Sequence, residues 1–383
     1  MFRLFPRAGG IYVFLREAYG DWAGFLYGWA YLLIITSGSI AVLSLAFTYY
    51  LSFFFPINDS WKIILSIIVI VTLTTINVLR AKFGEIFSVI FTGLKIAGIL
   101  IIIFCGLFLG STEVSFGSEA LSGSGEVTIA NFGVALVGVL FSYGGWQHAS
   151  FLAGETKNPS RNVPIAMVTG ALVVITIYLL VNVSYMMLLP VDTIAVSGKV
   201  AAEATSTVIP FGGMLVAGII AISTFGTIGI YTLSAPRIYY AMAEDGLFFK
   251  GLAKVHPKFQ TPIYAIITQS VWSIVLLLFW GTFEDLITYT ISVEFMFFGL
   301  AAAGIFIFRK RMKEKFRPYR TPLYPVTPII FIGIIIWFVI NVTINKPLHS
   351  GISFGFLLIG MPFFYFFRKK NSGSNPDLPQ GDH

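Results

Sequence analysis

Charge and sulfur are what this chain has least of. Only 11 % of its 383 residues are Asp, Glu, Lys or Arg, against roughly 25 % in a soluble domain. The single cysteine, Cys105, stands in an apolar run, which excludes an intramolecular disulfide and a multi-thiolate metal site. The histidines, His148, His256, His349 and His383, are too scattered for zinc-ligand spacing. No nucleophile has a neighbouring base, no glycine loop could cradle a phosphate, and Glu244-Asp245 lacks a metal-binding companion. These absences argue against an enzyme, and no cofactor is expected. No cleavable signal peptide is visible either. Met1 to Gly20 holds Arg3, Arg7, Arg16 and Glu17 around a Pro6…Gly9-Gly10 turn, without a long apolar core, and reads as a loop.

What the chain has in quantity is apolar surface. Hydrophobic residues make up 56 %, with 38 Phe, 17 Tyr and 7 Trp, and the mean hydropathy is +0.84. Runs long enough to cross a bilayer, roughly 20 residues each, fall at 24–54, 61–79, 83–110, 129–153, 163–190, 212–242, 262–280, 283–308, 324–345 and 350–367. The reading is an all-α integral membrane protein of about ten transmembrane helices.

Alternating the loops between sides sorts the basic residues. The side of the N-terminus takes Arg3, Arg7 and Arg16, then Arg80 and Lys82, Lys157 and Arg161, Lys250, Lys254 and Lys258. It also takes the cluster from Arg309 to Arg320 and Arg368-Lys-Lys370, while the opposite loops hold Lys62, Lys199 and Lys346. That bias places both termini in the cytoplasm. It also explains the net charge of +7 better than a nucleic-acid partner would. The segments 111–128 and 191–211 become the two sizeable external connections. Residues 1–370 read as one membrane bundle, and the polar 371–383 as a disordered cytoplasmic tail.

Several spans carry residues that lipid does not tolerate freely. Phe141-Ser-Tyr-Gly-Gly-Trp-Gln-His148 puts adjacent glycines and four polar side chains at bilayer depth, which predicts a broken helix. Backbone groups freed there go to a substrate or ion near the midplane in many transporters. Thr36-Ser-Gly-Ser39 is either a close-packing patch or the wall of a cavity facing that break. Lys95 lies nearly mid-span, as a functional cation standing where a coupling ion would sit, or as one that snorkels to the cytoplasmic face. Glu294 has three readings, an internally paired group, a proton carrier or a vestibule group. Ile222-Ser-Thr-Phe-Gly-Thr-Ile-Gly229 is rich in hydroxyls, Ser223 and Thr224 among them, and is equally readable as structure. Arg237 to Gly246 reads as a cytoplasmic helix end with a glycine stop.

Phe141-Ser-Tyr-Gly-Gly-Trp146 followed by Gly154-Glu-Thr-Lys-Asn-Pro-Ser-Arg-Asn-Val-Pro-Ile-Ala166 resembles the sixth helix and following loop of amino-acid permeases. Ala235-Pro-Arg-Ile-Tyr-Tyr-Ala-Met-Ala-Glu-Asp-Gly246 with His256-Pro-Lys-Phe-Gln-Thr-Pro262 is similar to their eighth-to-ninth helix junction. Phe5 to Phe14 and Gly24 to Trp29 resemble the stretch between their second and third helices. The family is the amino acid–polyamine–organocation superfamily, on the branch of L-type transporters and serine/threonine exchangers.

The resemblance implies a LeuT-like inverted-repeat fold in which this chain's first span is the family's third. The family's first helix and most of its second are then expected to be missing, with weak or no transport as the consequence. It implies substrate contacts from Phe141, Ser142, Gly144 and Trp146 with Gln147 close by, within a binding segment that includes Tyr143 and Gly145. Trp146 would be a gate or pocket wall. Lys95 matches a family lysine taken to replace sodium, with Ser223 and Thr224 beside that ion position. Sodium-independent exchange or proton-linked uptake of an amino acid across the cell membrane follows. The alternative is a non-transporting membrane protein, receptor-like or an assembly subunit, derived from a permease. A single-span partner subunit and the oligomeric state stay open.

Overall fold

A computed structural model of the chain describes residues 10–79, 84–112, 128–147, 156, 158–259, 261–311, 321 and 323–372. The basic residues Arg3, Arg7, Arg80, Lys82 and Lys157, the stretch 312–320, most of the 111–128 connection, residues 148–155 and the tail beyond Ser372 lie outside them. Among the described residues the regular structure is entirely helical, with no strand. Nine helices among the described residues are long and apolar enough to span a bilayer. The tenth expected span is a shorter apolar helix that ends in a turn.

The chain opens with α1 (Ile11–Tyr19), a correction to the loop expected there. Ile11, Tyr12, Phe14, Leu15 and Ala18 are its buried residues, an i, i+3, i+4, i+7 stripe too short to register as a span. A continuous helix follows from Asp21 to Leu51, made of α2 (Asp21–Ala30), a π turn (Tyr31–Thr36) and α3 (Ser37–Leu51). Next come α4 (Asp59–Leu79), α5 (Gly84–Leu109), α6 (Ile129–Ser142) and α7 (Pro159–Leu188). The 191–211 segment, expected as a plain loop, contains α8 (Val191–Val196) and α9 (Val200–Ser206), the latter burying Ala201, Ala202 and Ala204. The span expected over 212–242 divides into α10 (Gly212–Ser234) and α11 (Pro236–Glu244), with Pro236 at the first turn of α11, where its missing N–H costs least. The rest is α12 (Ile263–Trp280), α13 (Phe283–Arg311), α14 (Val326–Asn345) and α15 (Pro347–Ser372).

The Asp21–Leu51 helix is the hub. Within its most apolar stretch 78 % of residues are buried inside the protein, against 6 % for the Arg161–Leu188 helix. α3 packs on α4, α10, α12 and α13. Hydrophobicity cannot drive that association in lipid, so close approach through small residues does. Gly38 sits under Thr290, Gly98 under Ile219 and Gly226 under Phe91, each so close that a Cβ would collide.

At one edge of the bundle, α1 is tied to the start of α2 and the end of α11. Tyr12 OH donates to Asp245 Oδ2 at 2.8 Å and Arg16 Nη1 to the same oxygen at 2.6 Å, while Arg16 Nε reaches Asp21 Oδ1 at 2.7 Å. Burial, reinforced by the Asp245 charge, pushes the Tyr12 phenol well above its ordinary value. α11 stops as expected. Gly246 takes φ +72°, and Leu247 N–H and Gly246 N–H donate to Met242 O and Ala243 O at 2.9 and 3.2 Å.

Candidate functional site

α6 begins conventionally, with Thr128 Oγ1 accepting from Asn131 N–H. It ends at Ser142 after 14 residues. Tyr143 N–H still reaches Val139 O at 3.2 Å, but Gly144 N–H turns back to Phe141 O at 3.0 Å. Gly145 then adopts φ +105°, a region that residues bearing a Cβ rarely enter. The pair of glycines breaks the helix where the sequence predicts.

The freed groups find specific partners. Gly145 N–H donates to Gln147 Oε1 at 2.9 Å, and Gln147 Nε2 donates to Glu294 Oε1 at 2.8 Å. A backbone N–H can only donate, so it fixes which end of the Gln147 amide faces Glu294. Ser142 O accepts from Tyr178 OH at 2.9 Å.

On the other side stands the π turn. Such turns shift the register of carbonyls and frequently mark functional positions. Leu33 O accepts from Trp272 Nε1 at 2.7 Å and from Tyr289 OH at 3.1 Å, and Tyr31 O accepts from Tyr239 OH at 3.3 Å. At the end of the turn the Thr36 hydroxyl is buried with no hydrogen-bond partner among the described residues.

Between these features lies a cavity of about 540 Å³, within the range of roughly 300–1,000 Å³ typical of small-molecule sites. Phe141, Ser142, Gly144 and Gln147 line it from the α6 end, Tyr31, Thr36 and Ser39 from the hub, and Lys95, Thr224 and Glu294 from three further helices. Lys95 Nζ donates to Thr227 Oγ1 at 3.3 Å. Glu294 is 6 % exposed and Gln147 3 %. No ion pair joins Lys95 to Glu294, so the cavity holds one ammonium and one carboxyl that do not neutralise each other directly.

Other expected residues lie beside the cavity rather than in its lining. Tyr143 packs edge-on against Tyr178, with ring centroids 5.0 Å apart. Trp146 is 43 % exposed and leans on Phe298 at 4.9 Å. Ser223 is buried, and its carbonyl accepts from Thr227 Oγ1 at 2.9 Å. His148 is outside the described residues. The Thr36–Ser39 patch divides its duties: Thr36 and Ser39 face the cavity, Gly38 packs on Thr290, and Ser37 Oγ donates to Leu32 O at 2.6 Å.

Sequence reading missed Tyr31, Tyr178 and Tyr231, all in the lining, and singled out Thr227 only as part of the hydroxyl-rich Ile222–Gly229 stretch. The three tyrosines carried a usable signal. They sit inside the spans expected over 24–54, 163–190 and 212–242 rather than at their ends, whereas lipid-anchoring tyrosines gather at the interfaces. Among the described residues no three His, Cys, Asp or Glu side chains cluster as metal ligands.

A family model described as amino acid permease matches residues 3–364. The chain belongs to the amino acid permease family. The permease is 32 % identical over 371 residues to the serine/threonine exchanger SteT of Bacillus subtilis (strain 168), covering 96 % of this chain and 83 % of the relative. It is 27 % identical to the human b(0,+)-type amino acid transporter 1, covering 95 % and 75 %. To the human cystine/glutamate transporter it is 28 % identical, covering 94 % and 72 %. The family is one of transporters, and its members cross the membrane several times, as the helices of this permease are built to do. Amino-acid transport is the activity that membership assigns to the permease, which disfavours a subunit without transport.

Proposed function

We propose that this permease moves an amino acid across the cell membrane by alternating access, and that the substrate docks in the cavity where α6 ends. The interruption of α6 carries the reading. A helix that stops inside an apolar span exposes backbone dipoles to whatever fills the adjoining space, and here that space is large enough to hold a small polar solute. Phe141, Ser142, Gly144 and Gln147 form one side of the site. Tyr143, Gly145 and Trp146 shape the turn behind it.

Lys95 supplies a positive charge that donates to Thr227 in the cavity that Thr224 also lines, and Ser223 stands behind Thr227, its carbonyl accepting from the Thr227 hydroxyl. A built-in cation lessens the need for sodium and favours exchange or proton-linked uptake. SteT, as its name says, exchanges serine and threonine. No bond of the substrate is made or broken, and the protein does no enzymatic chemistry. The asymmetry of Lys and Arg puts both termini in the cytoplasm, residues 1–370 acting as one bundle and 371–383 as its tail. The L-type relationship makes a single-span partner subunit reasonable.

The test is counterflow in proteoliposomes. Vesicles preloaded with unlabelled amino acids are placed in sodium-free medium with a labelled amino acid outside. Accumulation that depends on the internal amino acid, or on an inward proton gradient, is expected. Strict dependence on sodium removes the role given to Lys95, and no accumulation under any gradient removes the transport reading.

A further inference from the structure

The Glu294 carboxyl is the most demanding group in the molecule. It is 6 % exposed, on a span, and its one hydrogen bond among the described residues comes from the neutral amide of Gln147. Burying a carboxylate is expensive unless a cation answers it, and among the described residues no Lys, Arg or His does so. Yet Glu294 faces the cavity. The same neighbourhood is made more negative by α6, which arrives with its carboxyl end first. The positive charge of the cavity lies elsewhere, on Lys95, which is held by a hydroxyl and shares no ion pair with Glu294.

Resting on the site proposed above, we propose that Glu294 is a specificity-determining subsite for a positively charged substrate side chain. The permease then favours amino acids with a long side chain ending in an ammonium or guanidinium group. The side chain lies in the cavity, and its cation meets Glu294 on the edge not taken by Gln147. The space of about 540 Å³ accommodates such an extended solute. Gln147 links this subsite to the break, because the amide that touches Glu294 also holds Gly145 N–H. A cation at Glu294 is thus reported to the turn that interrupts α6. Glu294 stood open among three readings in the sequence, and its place in the lining, with no cation beside it among the described residues, selects among them.

The experiment measures binding of lysine and of norleucine, which has the same carbon chain without the terminal ammonium, to the purified full-length protein in lipid nanodiscs. Wild type is expected to bind lysine at least tenfold more tightly. In Glu294→Gln, whose amide oxygen can still accept from Gln147, that ratio should fall toward one, while Glu294→Asp should retain a preference for lysine. Equal affinities in wild type overturn the proposal. So does a ratio that persists in Glu294→Gln, and so does a proportional loss of both ligands, which would place the α-ammonium common to both at Glu294. If Glu294→Gln does not fold, the wild-type ratio and Glu294→Asp decide alone. Binding of norleucine without any preference for lysine sinks the subsite but spares the transport site. Failure of wild type to bind any amino acid, in a panel of neutral, acidic and basic ones, sinks both.

Discussion

The π turn at Tyr31–Thr36 and the helix end at Ser142 interrupt two spans at one cavity, yet they settle their backbones differently. The π turn gives its carbonyls to Trp272, Tyr289 and Tyr239, on three neighbouring helices. The α6 end satisfies itself within its own turn and reaches outward through Tyr178 and the Gln147–Glu294 contact. The first is held from outside by large aromatic side chains, so it can move only if three helices move. The second depends on a few short-range bonds and one amide, so its geometry can respond to what enters the cavity. A fixed wall opposite an adjustable one is what a site needs if it must recognise a solute and then release it on the other side.

The sharpest way to break that contrast is Gly145→Val. Room exists, since the nearest atom to an added Cβ is Tyr231 OH at 3.8 Å, but φ +105° strains any residue with a side chain by about 1–3 kcal/mol. Substrate affinity is expected to fall by roughly tenfold or more, measured by binding in nanodiscs, with modest loss of thermal stability. Normal affinity would show that the turn is not part of the site.

Gly38→Val tests the opposite wall. Its side chain would collide with Thr290 between α3 and α13, costing about 1–3 kcal/mol of overpacking. A lower melting temperature should come with near-normal affinity in the protein that stays folded, and an affinity loss without destabilisation would contradict the assignment. Thr36→Val has the smallest expected effect. It removes a buried hydroxyl that has no hydrogen-bond partner among the described residues, so stability should hold while affinity drops a few-fold, as for one lost hydrogen bond of about 1 kcal/mol. A parallel fall in stability would mean that the hydroxyl serves the fold.

The two interruptions also differ in how far they could be read from residues alone. Gly144-Gly145 among polar neighbours advertises a break, because glycine is costly inside a helix and polar groups are costly in lipid. The π turn carries no such mark. Tyr31-Leu-Leu-Ile-Ile-Thr36 reads as ordinary apolar helix, and the extra residue per turn is imposed by the aromatic donors that capture Leu33 O and Tyr31 O from distant parts of the chain. Spans were legible for the same reason as the break, since bilayer thickness imposes a length and a hydropathy on each. The short elements were not. α1 and α9 gain their stability from packing on α2 and α10, which no local window reports. Lys95 and Glu294 stood out as ions in lipid, but only the fold shows that they share a cavity without meeting.

One oxygen atom, Asp245 Oδ2, receives both the Tyr12 phenol and the Arg16 guanidinium. Replacing Asp245 erases two contacts in a single step, after which a change at Arg16 removes only its bond to Asp21 and a change at Tyr12 only the packing of its buried ring. Losing either donor first leaves the carboxylate still anchored by the other. Variation at these three positions is therefore epistatic, and the order in which they mutate decides what each mutation costs.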